Sequence, residues 1–269
     1  MKILITGGAG CLGSSLIEKY LPEGHQISVI DNFATGNREV VPNLRNLTVI
    51  EGSIAEKELV DKCLNDFQPE VVIHSAAAYK DPSNWEEDSM TNIVGTINLA
   101  KACEKSGVKK VINFQTALCY GRPKQVPIPI DSAESPFTSY GISKTAGENY
   151  LINSGLEVIS FRLANICGPR LSIGPIPTFY TRLKEGKNCF CSDTERDFLE
   201  MSDFLDLMDI ALFNSEGITG KFNVSTGKGN SIKDVFDTVC EYLGVEVPDI
   251  PIVPAGVDDV PKVILDPTV

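Results

Sequence analysis

Two short stretches hold the residue types that can move a proton. Residues 114–121 read FQTALCYG, and residues 140–144 read YGISK. Tyr140 and Lys144 are spaced to lie on one face of a helix, because side chains four residues apart align. A phenol ordinarily titrates near 10. A neighbouring ammonium, and the positive ring of an oxidised nicotinamide, both favour phenolate and draw that value towards neutral pH. Such a phenolate is a general base for an alcohol or sugar hydroxyl, and Thr116 can hold the same hydroxyl from the other side. Ala117 and Leu118 follow the threonine, so no carboxylate stands beside it.

A glycine-rich turn supplies the second chemical element. MKILITGGAGCLGSSLIEKY reads as strand, turn and helix, with Gly7, Gly10 and Gly13 in the spacing GxxGxxG. The first two allow a tight turn and close backbone approach to a pyrophosphate, and the third allows close helix–strand packing. The free N–H groups at the start of the helix, around Cys11 and Leu12, face the phosphates. A second strand ends at Ile30 and is followed by Asp31 and Asn32. A carboxylate there accepts from the ribose hydroxyls and repels a 2′-phosphate, so the expected cofactor is NAD rather than NADP, with Arg38 the one nearby cation. The small residues Ser75, Ala76 and Ala77, after a strand ending at His74, let the backbone approach the cofactor; the histidine itself is read as structural.

Short apolar runs alternating with longer helical patterns must position these groups. Strands are expected at Lys2–Thr6, Gln26–Ile30, Leu47–Ile50, Val71–His74, Lys110–Gln115, Glu157–Phe161 and Lys221–Val224. Helices are expected at Leu12–Tyr20, Glu56–Asp66, Trp85–Lys105, Thr138–Asn153, Ile176–Lys184, Ser202–Phe213 and Ser231–Leu243. This alternation predicts an α/β fold, a Rossmann-type doubly wound parallel sheet, whose ligands bind outside the carboxyl ends of the strands. Residues 1–165 are expected to form the NAD-binding domain. Residues 166–269, richer in proline, form a smaller C-terminal substrate-binding lobe with a strand near 221–224 returning to the main sheet.

The chain has 269 residues, 42% hydrophobic content and a net charge of −12. The acidic balance argues against nucleic acid as a partner. No apolar run approaches the roughly 20 residues of a membrane helix, and the opening strand carries no signal-peptide pattern, so a cytoplasmic protein is expected. The eight scattered cysteines read as reduced, and with only two histidines no metal site is expected.

Taken together, GGAGCLG, DNFATGN, HSAAAYKDPSNWEEDSMTNIVGT, TALCYG, YGISK, FRLANICGPR and RDFLEMSD resemble, in order and over nearly the whole chain, the extended short-chain dehydrogenase/reductase family. Within it the chain looks like the NAD-dependent nucleotide-sugar epimerase/dehydratase branch. The resemblance implies a tightly held NAD, a nucleotide-diphosphate sugar, most often a UDP-sugar, and a catalytic Thr116–Tyr140–Lys144 group. It also implies cofactor contacts from Ser53, Ile54 and Asn92, and substrate contacts from Tyr79, Lys80, Thr116 and Asn165. Similar proteins carry an Arg shortly before Asp259; here PAGVDD places Ala255 and Gly256 there, so the diphosphate contact is expected from Arg196, with Arg170 or Arg182. A homodimer through the Trp85–Lys105 and Thr138–Asn153 helices is expected by the same resemblance.

Members that dehydrate place an acid directly after the threonine. Ala117 and Leu118 cannot transfer a proton, which leaves hydride removal at C4 and its return to the opposite face: a UDP-sugar 4-epimerase. The alternatives are a dehydratase or 4-ketoreductase of the same family, using acids from Glu86, Glu87 or Asp88 should their loop fold inward, or a non-catalytic NAD-binding regulator.

Overall fold

The apolar runs of the first 163 residues become six strands: β1 (Lys2–Thr6), β2 (Gln26–Asp31), β3 (Leu47–Glu51), β4 (Val71–His74), β5 (Lys110–Thr116) and β6 (Glu157–Leu163). The computed structural model describes residues 1–256 and 259–268. Its helices are α1 (Cys11–Tyr20), α2 (Lys57–Phe67), α3 (Trp85–Ser89), α4 (Thr96–Ser106), α5 (Ser139–Ile152), α6 (Pro175–Lys184), α7 (Met201–Phe213) and α8 (Ile232–Leu243). The expected elements therefore form with boundaries moved by a residue or two, save that the expected Trp85–Lys105 helix is divided into α3 and α4.

A seventh strand, Gly220–Val224, pairs with β6, and the sheet order is Gly220–Val224, β6, β5, β4, β1, β2, β3. All six pairings are parallel. Alternate residues of β1 feed two cores, as the period of a strand requires. Ile3 and Ile5 pack under α1 and α7 on one face, while Leu4 packs with α2 and α4 on the other. The order reverses between β1 and β4, the switch point where such sheets hold ligands.

The Trp85–Lys105 helix is interrupted. Between α3 and α4, Met90–Gly95 winds as a π-turn, a local widening often found at functional sites. A Cβ at Gly95 would lie 2.5 Å from Ile54 Cγ1, so glycine lets the segment close against the loop after β3.

After β6 the chain builds a lobe from α6, α8 and short strand pairs. Phe179 and Phe236 meet edge to face at 5.2 Å between α6 and α8. A capping box of Ser231 and Asp234 starts α8, and Gly244 at φ 65° ends it. α7 packs elsewhere: Phe204 meets Phe114 of β5 at 5.3 Å in the main core. Residues 201–224 thus return to the sheet as a helix and a strand.

Candidate active site

β1 ends at Thr6, and the chain turns sharply at Gly7, whose φ is +72°. A Cβ there would sit 2.7 Å from the Ala76 nitrogen, and one at Gly13 only 2.3 Å from the Gly7 carbonyl oxygen. Both positions therefore require glycine for the fold itself. Gly10 differs: an added Cβ would meet only the Gly7 oxygen, at 3.4 Å. Gly10 lines a cleft of about 830 Å³, and so do Gly7, Cys11 and Leu12, whereas Gly13 does not. No side chain caps the start of α1 and no acid stands in its first turn. Its free N–H groups are left for an anion.

Asp31 is buried at the end of β2. Its Oδ2 accepts from Ala9 N–H and its Oδ1 from Phe33 N–H, both at 2.8 Å. Each oxygen keeps a further lone pair for a hydroxyl. Asp31, Asn32, Ser53, Ile54, Ser75, Ala76 and Ala77 all line the same cleft. Arg38 lies over the Phe33 ring, 5.6 Å from its centroid, and donates to the Val41 carbonyl.

Asn92 does not line the cleft. It clamps Ala78, accepting from its N–H and donating to its carbonyl at 2.9 Å each, and it donates to Ser143 Oγ at 3.0 Å. It therefore joins the small-residue loop after β4 to α5 instead of reaching a ligand. His74 is held at both nitrogens, by Thr6 Oγ1 at 2.8 Å and Thr96 Oγ1 at 2.9 Å. Thr96 donates to the Asn92 carbonyl, so its oxygen accepts from His74 Nε2–H, and Nδ1 accepts from Thr6. Burial pushes the ring's pKa down to about 3, and His74 is a neutral structural strut.

Thr116 ends β5 and caps the turn Ala117–Tyr120, its Oγ1 accepting from Leu118 N–H at 3.2 Å. Gln115 ties this turn to α5: its Oε1 accepts from Thr116 N–H and its Nε2 donates to the Lys144 carbonyl. Thr138 caps α5 through Gly141 N–H. Thr116, Tyr140 and Lys144 converge on the cleft, together with Tyr79, Lys80 and Asn165. The Tyr79 ring lies edge-on to Tyr140 at 6.1 Å.

Burial raises the Tyr140 phenol above its ordinary value; Tyr79 and the Asp88 carboxylate push the same way, and a hydrogen bond with Thr116 opposes them. The chain alone therefore does not produce the lowered phenol that the Tyr–Lys spacing suggested. Burial also lowers Lys144 to about 8, against a contribution from Glu148 that raises it. Among the described residues the Lys144 ammonium finds no acceptor, although it faces the cleft.

Several expected contacts fall elsewhere. Arg196 does not line the cleft. It pairs with Asp259 at 2.5 Å and donates to the Glu195 and Pro261 carbonyls. Val257 and Asp258 of the PAGVDD stretch lie outside the described residues. Arg182 donates to the Asn188 carbonyl. Arg170 does reach the cleft, with φ 64°. Its guanidinium donates to Ser14 and Ser15 of α1 and pairs with Glu18. The run 171–176 forms one wall, which the sequence signals only as a proline-rich loop. Glu87 lines the cleft, while Asp88 lies buried, its Oδ2 without a partner among the described residues. Cys119 is buried and its thiol pushed up to about 12, and burial also raises Cys11 and Cys167, so these thiols stay protonated.

Residues 3–225 match the model of the NAD dependent epimerase/dehydratase family. The chain belongs to that family. It is 31% identical to the UDP-glucose 4-epimerase of Corynebacterium glutamicum, over 92% of this chain and 82% of that one. The Bordetella bronchiseptica enzyme WbmG, in complex with NAD and UDP, superposes with a TM-score of 0.94 at 63% identity, covering 98% of this chain and 84% of that chain. A Thermotoga maritima UDP-glucose 4-epimerase with UDP-glucose gives a TM-score of 0.91 at 31% identity, covering 100% and 90%.

As in the rest of the NAD-dependent epimerase/dehydratase family, the cofactor is NAD. The residues present fit it. The uncapped α1 N-terminus and the open Gly10 suit a diphosphate, Asp31 suits a ribose, and the unsatisfied Lys144 ammonium suits further hydroxyls.

Proposed function

We infer that this chain is an NAD-dependent nucleotide-sugar 4-epimerase acting on a UDP-sugar. One observation carries the choice within the family. Thr116, Tyr140 and Lys144 meet at the cleft, and the residues after the threonine, Ala117 and Leu118, carry no proton-transferring group. The resemblance to UDP-glucose 4-epimerases, and to a relative that holds UDP, supports the same reading.

Bound NAD supplies the hydride acceptor and donor at the sugar C4. The chain supplies the rest. Tyr140 takes the proton of the C4 hydroxyl on its phenolic oxygen and gives it back after the sugar has turned. The Lys144 ammonium favours the phenolate by its charge. Thr116 orients the hydroxyl, and Tyr79, Lys80 and Asn165 flank the hexose. Ser53 and Ile54 border the adenine and Asp31 the ribose. Of the arginines expected at the diphosphate, Arg170 lines the cleft and takes the place of Arg196 in this reading.

A second reading rests on Glu87. This carboxylate lines the cleft, held by Asn84 Nδ2 at 3.0 Å, and is the one residue of Glu86–Asp88 placed to act as the acid of a dehydratase. Proton NMR in D2O with UDP-hexoses, UDP-N-acetylhexosamines and UDP-hexuronic acids separates the two. Interconversion of C4 isomers without deuterium at C5 supports the epimerase; a 4-keto-6-deoxy product, or deuterium at C5, overturns it.

The same reading includes a cytoplasmic homodimer. Trp85 of α3 and Tyr150 of α5 are 69% and 54% exposed, and a second copy would cover them. Light scattering in solution tests this. Among the described residues no helix is long and apolar enough to cross a membrane.

A further inference from the structure

Behind the site, between α5, β5, β6 and the Gly220–Val224 strand, lies a cluster of charges that the mechanism above does not use. Arg162 of β6 and Glu148 of α5 are each 1% exposed. Arg162 Nη2 donates to Glu148 Oε2 at 2.7 Å and its Nε to Oε1 at 3.4 Å, while Ser160 donates to Oε1 at 2.6 Å. Arg162 also pairs with Glu134. Lys221 stands 2.6 Å from Glu134 and 3.7 Å from Glu148. The guanidinium faces the Tyr120 ring at 4.9 Å, and Tyr120 donates to Asn223 at 2.7 Å.

Two anions and two cations leave this cluster with no net charge. A buried ion pair of this kind is weak evidence for stability, because desolvation offsets much of the attraction. Its position is more informative. Glu148 lies one helical turn beyond Lys144 on α5, the spacing that brings side chains together. Lys144 is buried and its ammonium has no acceptor among the described residues.

We propose that Glu148, set in place and partly neutralised by Arg162, Glu134 and Lys221, is a positioning residue that keeps Lys144 protonated while it serves Tyr140. Burial alone drives the Lys144 ammonium towards its neutral form, and Glu148 opposes that loss. The other groups facing this region are His74 from β4, which is neutral, Tyr140 on α5 itself, Cys119, which stays a thiol, and the buried Asp88 of α3, whose carboxylate acts on Tyr140. Among the described residues, Glu148 is the carboxylate whose charge acts on Lys144 itself. The proposal rests on Lys144 being the partner of the base, and it deepens the epimerase reading.

The test is a pH titration of Lys144 in the NAD-bound protein, followed by NMR of 13C-labelled lysine and assigned by loss of the signal in Lys144→Arg. Of three variants, two are expected to lower the midpoint and one to raise it. Glu148→Gln lowers the midpoint by roughly one to two pH units, the field of one charge a helical turn away. Glu134→Gln releases more of the Arg162 and Lys221 charge and lowers it less. Lys221→Gln frees Glu148 and raises it. Glu134 and Lys221 are partly exposed, so this contrast of sign decides the matter even where Glu148→Gln does not fold. A midpoint unmoved in the soluble variants, or moved the same way by Glu134→Gln and Lys221→Gln, overturns the proposal and leaves the cluster a structural one. The titration is read without substrate. A wild-type protein that interconverts no sugar therefore counts against the epimerase reading, and the Lys144 midpoints against this one.

Discussion

Replacing Lys144 by methionine at pH 7 should make the protein more stable while abolishing its activity. Burial lowers the ammonium from an ordinary 10.5 to about 8. At about 1.36 kcal/mol per pH unit, carrying the buried charge costs the fold roughly 3 kcal/mol at neutral pH. Methionine fills similar volume without a charge, and no hydrogen bond of the ammonium within the described chain is lost. For a chain of this size each kcal/mol moves the melting temperature by roughly 2–4 °C, so the gain is roughly 10 °C at most, less any loss of packing. The sign with pH is fixed by linkage. Between about 8 and 10.5 the unfolded chain binds a proton that the folded chain has released, so wild-type stability rises through that window relative to the variant. Melting of cofactor-free wild type and Lys144→Met from pH 7 to 10.5 checks this, since bound NAD would add its own stabilisation. The gap should favour the variant at pH 7 and close as pH rises. A variant that melts below wild type at pH 7, by a margin independent of pH, refutes the argument and makes Lys144 an ordinary packed side chain.

Other consequences can be read with simple assays. Tyr140→Phe should retain NAD, seen by its absorbance after gel filtration, yet lose roughly 10²–10⁴ in kcat. Asp88→Asn removes a buried carboxylate that faces the phenol and pushes it up; the absorbance titration of Tyr140, taken as the difference from Tyr140→Phe, should move to lower pH, and an unchanged midpoint would show that the carboxylate carries no charge there. Gly13→Ala and Gly10→Ala should separate folding from cofactor binding. The first drives a Cβ to 2.3 Å from the Gly7 oxygen and should lower stability by roughly 1–3 kcal/mol, whereas the second meets no close neighbour and should leave the melting temperature of the cofactor-free protein near wild type while NAD retention falls.

The sheet and its flanking helices were legible because strand and helix periods are local, and because a parallel sheet buried on both faces writes its strands as apolar runs such as VVIH and KVINFQ. Gly7, Asp31, Thr116, Tyr140 and Lys144 were legible because their chemistry depends on spacing along a turn or a helix. What escaped the sequence depends on tertiary neighbours. Asn92 and Gly147 meet across a helix contact, where a Cβ on the glycine would lie 2.4 Å from the Asn92 carbonyl, and no local pattern marks the π-turn that holds Asn92. Arg196 and Arg170 are alike as letters. The partners at Asp259, and at Ser14, Ser15 and Glu18, turn one away from the cleft and bind the other to its wall. The raised phenol was missed because the spacing of Tyr140 and Lys144 gives their charges but not the burial that outweighs them.

The Arg170 tether has a consequence for the cell. Its three bonds fasten the loop before the 171–176 wall of the cleft to α1, the helix whose uncapped N-terminus suits a diphosphate, so wall and helix are joined directly. In the epimerase reading proposed above, the cofactor held there is reduced and reoxidised within one turnover and has no need to exchange. The balance between the two sugars is then set by their own free energies alone, and the ratio of oxidised to reduced dinucleotide in the surrounding pool has no lever on it. Such an enzyme runs in either direction with supply and demand, through starvation or plenty of reducing power alike.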